Sequence, residues 1–205
     1  MIRGDPGTPP RYAVPDFDFA VPGVTSISVD VHKLGYANKG VSALLLRNRE
    51  DTRFQHYTFD DWPAGSYRTT GVSGSRSGGG LASAWAVIQY LGEHGYCEIV
   101  EKILATRQKL VAGVDRIADL QVWGNPDAYL VALGSSQYDT HALADGMEDR
   151  HWVFHRLRNP ASLHLFLDRS HTDSVDELLV DLQQVMEEVR SGRRRARPVD
   201  AVYAI

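Results

Sequence analysis

The sequence predicts a mixed α/β fold, on three observations. Residues 24–30 (VTSISVD) alternate and are β-branched, the pattern of a strand. Residues 81–93, 96–119 and 174–190 repeat apolar side chains at helical spacing. Short apolar runs at 41–46, 120–123, 128–133 and 162–167 are set off by glycine, proline and aspartate, the punctuation expected between strands. The predicted order is strands, a long loop, two helices and a β–α–β–α tail.

Each element has its own reason. Residues 1–22 hold Pro6, Pro9, Pro10, Pro15 and Pro22, which fix the backbone and oppose helix before them, so this stretch is expected to be irregular. The run 41–46 (VSALLL) reads as a strand buried on both faces. Between the two strands, Gly35 and Gly40 mark a turn-rich connection. Residues 50–80 show no period and end in the glycine-rich TTGVSGSRSGGG, which predicts a functional loop. Gly95 is the expected break between the first two helices. Gly124-Asn125-Pro126-Asp127 is a turn, 140–148 a short helix, and Asp173 or Ser174 the cap of the last helix, which Gly192 ends. The chain divides on this reading into residues 1–119 and a small α+β subdomain, 120–205.

Composition narrows the function. The 205 residues are 43% hydrophobic and 23% charged, an ordinary globular balance. A net charge of −4 gives no basic field for nucleic acid or an anionic membrane. The apolar runs are far shorter than the about 20 residues of a membrane-spanning helix, and no apolar secretion signal opens the chain. The single cysteine, Cys97, excludes an internal disulfide framework. These features predict a cytoplasmic protein.

Chemistry concentrates at Ser28-Val29-Asp30-Val31-His32-Lys33. A strand ends there and delivers a lysine, beside a histidine, into a glycine-flanked turn. A lone lysine is ordinarily a solvated surface group. This chain has four, against eighteen arginines, and Lys33 sits where a strand empties into a loop, a common place for active-site groups. A partly desolvated amine there can lose its proton and form a Schiff base with a carbonyl.

The stretch GVTSISVDVHKLGYANKGVSALLLRN resembles the cofactor-lysine segment of the pyridoxal-phosphate-dependent group II decarboxylases, in particular the sphingosine phosphate lyase branch. A second match follows in order: Tyr67, then Gly74-Ser75-Arg76-Ser77-Gly78-Gly79, then Ala84-Trp85-Ala86 and Gly92-Glu93-His94-Gly95-Tyr96. The resemblance covers roughly residues 14 to 190. It implies the C-terminal part of the pyridoxal-phosphate-dependent transferase fold type I: the end of the large-domain sheet, a long linking helix and a small α+β C-terminal subdomain. It implies pyridoxal 5'-phosphate as cofactor, with Lys33 as the Schiff-base residue and His32 beside the cofactor phosphate. Asp30 would fix the end of the strand. Gly74, Ser75 and Arg76 would lie by the phosphate, commonly that of the neighbouring subunit of a dimer. Backbone N–H groups of glycine and a forked guanidinium suit that role. Tyr67 would be a mobile-loop tyrosine able to exchange a proton, with Tyr36 a weaker candidate.

The activity implied is carbon–carbon cleavage of a small-molecule amine, either as an amino-acid decarboxylase or as an aldehyde lyase. Family members are much longer chains. Their preceding part of the large domain carries an aspartate for the pyridine nitrogen and a histidine that stacks on the ring, and residues 1–22 supply neither. The expectation is therefore a truncated chain, as a homodimer or paired with a chain carrying the missing N-terminal half. The alternative is a non-catalytic remnant that needs such a partner. Other residues read more plainly. His151 and His155 are four apart but lack metal-site context, so no metal is expected. Asp60-Asp61 point apart into water, Cys97 is a buried filler, and Arg193–Arg195 is a solvated run.

Overall fold

The computed structural model describes Tyr12 and residues 14–197. Of the proline-rich start, residues 14–25 hold no helix or strand, as expected, and the remainder of that reading lies outside the described residues. The chain forms two compact units. Residues Pro15–Tyr96 make one, and the described residues from Cys97 on, with Tyr12 and Val14, make the other. This grouping places the second half of the long helix with the C-terminal unit, whereas the sequence grouped it with the first.

In the Pro15–Tyr96 unit, β1 (Ser26–Val29) pairs antiparallel with β2 (Ala43–Leu46), with Ile27 opposite Leu45. The expectation that residues 41–46 are buried on both faces is corrected. Leu44 and Leu45 are 49% and 47% exposed, because this sheet has two strands and neither face is covered. Residues 50–80 are also more ordered than expected. A 3-10 turn (Arg49–Gln55) is followed by a hairpin of β3 (Tyr57–Trp62) and β4 (Gly65–Thr69). A register shift between Phe59 and Trp62 breaks the alternation there, which hid the strand period in the sequence. Asp60 and Asp61 fall on β3, where Asp60 accepts a hydrogen bond from Ser66.

Helix α1 (Gly78–Val114) bends at Gly92, not Gly95. Gly92 has φ 58° and ψ −175°, a backbone that a Cβ would strain, while Gly95 stays helical, and a Cβ there would meet Leu91 at 3.2 Å. The helix stops at Val114 rather than 119. Residues 115–119 close as turns, with Ile117 N–H on the Val114 carbonyl and Asp119 at φ 65°.

The C-terminal unit holds an antiparallel sheet in the order β5 (Gln121–Val122), β6 (Leu130–Gly134), β8 (Ala161–Phe166), β7 (His155–Arg158). Helices α2 (Thr140–Glu148) and α3 (Val175–Arg190) complete it. Val131, Leu133 and Leu163 of the sheet, Leu143 and Met147 of α2, and Leu178, Leu182 and Met186 of α3 form a closed core. Gly113 lets α1 approach α3 closely, since a Cβ there would overlap Leu179. The tail is thus ββαββα. Strand β7 (HRLR) escaped the sequence reading because arginines and a histidine mask its period at the sheet edge.

Ion pairs tie the end of α2 to α3 and β7 to α2. Arg150 bridges Asp181 and Glu188, and Arg156 pairs with the buried Asp145 at 2.6 Å. Arg194 reaches Glu188 and Asp149. Neither His151 nor His155 is on a helix: His151 follows α2 at φ 68° and His155 opens β7. Ser174 precedes α3 without a side-chain cap, and Cys97 lies within α1, only part-buried. Among the described residues no helix is long and apolar enough to cross a membrane.

Candidate active site

Strand β1 ends at Val29, and the chain then folds into consecutive tight turns. Lys33 N–H bonds to the Asp30 carbonyl, Tyr36 N–H to Lys33, and Ala37 N–H to Val31. A Cβ at Gly35 would fall on the Val31 carbonyl, so glycine is what lets the loop close. Tyr36 is held at φ 58°, a left-handed backbone that costs a non-glycine residue energy and marks a constrained turn. Helix α1 braces this loop: Tyr96 Oη donates to the Gly35 carbonyl at 2.8 Å, and Ser83 Oγ accepts from Asn38 N–H at 3.0 Å. Gly80 stacks over Gly40 and Val41, with room for a Cβ only at 3.4 Å from Val41 Cβ.

Two side chains fasten the lysine turn to β2. His32 Nδ1 lies 2.8 Å from the Val41 carbonyl oxygen, so Nδ1 donates and Nε2 is left for another partner. Ser42 Oγ donates to Asp30 Oδ1 at 2.7 Å, and Lys33 Nζ pairs with Asp30 Oδ2 at 2.8 Å. These bonds, from Lys33 first and Ser42 second, hold the Asp30 carboxyl below its ordinary range. Burial moves the Tyr96 phenol the other way, upward.

The fold thus brings together Lys33, His32 and Asp30. Tyr67 sits on β4 opposite Phe59, its ring 6.3 Å from that of Trp62. Gly74 and Ser75 are exposed in the loop before α1, and Arg76 folds back so that a Cβ at Gly71 would meet its guanidinium. Neither Tyr67 nor Arg76 bonds to Lys33 among the described residues. Sequence reasoning missed Ser42, which was read as one position in an apolar strand, and the bracing roles of Ser83 and Tyr96. A hydroxyl inside an otherwise apolar run, just across the loop from an aspartate, was the available signal for Ser42.

The donor set fits an anionic aldehyde. Lys33 is a primary amine whose side chain is 58% exposed, so a carbonyl carbon can reach it. Its turn is rigid, and an imidazole, an arginine and exposed glycine amides lie in the same unit as potential partners for an anion.

No protein-family model matches the chain. Sphingosine-1-phosphate lyase of Arabidopsis thaliana is 41% identical over 181 residues, 88% of this chain and 33% of that protein. The rat sphingosine-1-phosphate lyase 1 is 33% identical over 92% of this chain and 34% of its own length. Among solved structures, the sphingosine-1-phosphate lyase of Burkholderia pseudomallei superposes with a TM-score of 0.82 at 37% identity, covering 91% of this chain and 42% of that one. A Lactobacillus brevis glutamate decarboxylase superposes at 0.68 and 18% identity, covering 89% and 43%. The fold is therefore that of the pyridoxal-phosphate-dependent fold type I enzymes. Within that class the chain is similar, over most of its length, to sphingosine-1-phosphate lyases. It spans about a third of the length of the curated relatives it matches.

Proposed function

We propose that the chain is part of a pyridoxal-phosphate-dependent carbon–carbon lyase working through Lys33, and that it cleaves a phosphorylated long-chain amino alcohol to an aldehyde and an amine. Its kinship to sphingosine-1-phosphate lyases supports aldehyde cleavage over amino-acid decarboxylation. The observation that carries the reading is Lys33 Nζ itself, exposed on a turn that Asp30, His32 and α1 hold rigid.

The cofactor, when bound, supplies an electron-accepting ring for the pair released at the substrate α-carbon. Lys33 Nζ would hold the cofactor's aldehyde carbon and, once displaced by the substrate amine, carry protons to and from the reacting carbon. His32 would border the phosphate through Nε2. Gly74, Ser75 and Arg76 would bind a phosphate, that of the neighbouring subunit in a homodimer. Tyr67 Oη would serve as a second proton carrier. On this reading residues 1–119 form the cofactor-binding portion and 120–205 the small subdomain, in a cytoplasmic protein.

A second reading has its own support in the uncovered β1–β2 sheet, with Leu44 and Leu45 half exposed. It is a non-catalytic half-chain that needs a partner carrying the rest of the large domain. One experiment separates the two. The chain is co-expressed with a polypeptide carrying the remainder of the fold, and products are measured from a phosphorylated long-chain amino alcohol and from amino acids. Aldehyde release that vanishes in Lys33→Ala supports aldehyde cleavage, and carbon dioxide release would replace it with decarboxylation. Neither product from a folded complex favours the second reading.

A further inference from the structure

The Lys33 turn contains a carboxylate whose two oxygens are both engaged. Asp30 Oδ1 accepts from Ser42 Oγ at 2.7 Å, and Asp30 Oδ2 faces Lys33 Nζ at 2.8 Å. The two contacts come from different directions. Lys33 reaches back three residues along its own turn, and Ser42 reaches in from the chain entering β2. A carboxylate held by one contact can swing with its lysine into water; one fixed from β2 keeps a set position relative to the end of β1. His32, bonded to Val41 next to Ser42, holds the same turn against the same strand.

We propose that Asp30, anchored by Ser42, is a positioning residue for Lys33: it holds the uncombined amine charged and in place, and so sets the pH above which that amine attacks an aldehyde. This rests on the reading of Lys33 as the aldehyde-capturing residue. The chemistry requires such control. Attack needs the neutral amine, so the ammonium must first give one proton to water. The nitrogen–carbon bond then forms, a second proton leaves nitrogen, and the carbonyl oxygen departs as water. An adjacent carboxylate favours the charged amine and delays the first of these steps to higher pH. The other ionisable groups of the loop are His32, Tyr36 and Lys39; α1 contributes Tyr96 through its bond to Gly35, and β2 contributes the neutral Ser42 hydroxyl. Asp30 is the carboxylate paired with Lys33 in this set.

Four lysines make a direct test practical, because ε-carbon-13 labelling of the full chain yields four resonances and Lys33→Arg identifies the relevant one. Each is titrated in the unsubstituted chain and in Asp30→Asn, Asp30→Glu and Ser42→Ala. The Lys33 midpoint is expected to fall by about 1 pH unit in Asp30→Asn. It should fall less in Ser42→Ala and be largely restored in Asp30→Glu, while Lys39, Lys102 and Lys109 stay put. A merely structural Asp30 would change the melting temperature without moving Lys33 alone. Should Asp30→Asn fail to fold, Ser42→Ala decides. An unmoved Lys33 midpoint in the folded variants overturns the proposal. The titration uses no cofactor, so a shifted midpoint in a chain that never captures pyridoxal phosphate would defeat the proposed function and leave the Asp30 pairing intact.

Discussion

The two compact units differ in what holds them. From Cys97 on, a four-stranded sheet and two helices enclose a core of fully buried leucines, valines and methionines. In Pro15–Tyr96 the buried apolar side chains among the described residues are Ala37 and Ala84 alone, and two separate two-stranded sheets leave Leu44, Phe59, Trp62 and Tyr67 outside. Yet the candidate chemistry, Lys33, His32, Tyr67 and Arg76, all belongs to that second unit. Stability and chemistry are thus separated along the chain. The turn carrying Lys33 is kept in shape by hydrogen bonds, glycine contacts and the Lys33–Asp30 ion pair instead of a core.

Substitutions can break or sharpen this contrast. The largest effect is expected at Leu182, fully buried in α3, where Leu182→Ala should cost about 3 kcal/mol in urea unfolding followed by tryptophan fluorescence. The matching Leu45→Ala on the open sheet should cost under about 0.5 kcal/mol, and equal losses would erase the contrast. Asp145 is 1% exposed and pairs with Arg156. Asp145→Asn should cost about 2 kcal/mol by removing the buried charge opposite that guanidinium, which would keep only the more exposed Glu148 at 3.3 Å, and a neutral result in the same melt would show the pair to be dispensable. Gly92→Ala forces a Cβ onto φ 58° and should cost about 1 kcal/mol, read as an earlier loss of helical circular dichroism on heating.

The smallest effect is pH-dependent. Burial, and then the neighbouring His155, hold the His164 imidazole below its ordinary value of 6.5. The unfolded chain therefore binds this proton first. The contribution of His164 is intact above pH 6.5 and is lost as acid is added below it. His164→Phe should flatten that decline in melting temperature. The carboxylates Asp149 and Glu188, both held low by hydrogen bonds from arginines, should cause a further fall only at more acid pH.

The fold was legible where one periodicity ruled. Helix α3 and strands β1, β6 and β8 carry clean patterns, and each stands within a few residues of its expected place. Strand β7 hid behind its arginines, and the β3–β4 hairpin hid behind a register shift and paired aspartates. The bend moved from Gly95 to Gly92 because both glycines allow it and sequence alone does not rank them. The site was legible to the extent that it is local: Asp30, His32 and Lys33 share one turn. Ser42 was not, because its role depends on how two strands register across a loop.

The most direct test of the account is capture of the cofactor. Purified chain is mixed with pyridoxal 5'-phosphate, reduced with borohydride, digested and mapped by mass spectrometry. The account predicts label concentrated on Lys33, above Lys39, Lys102 and Lys109, and lost in Lys33→Ala. Label spread evenly over all four lysines, or undiminished in Lys33→Ala, would contradict it.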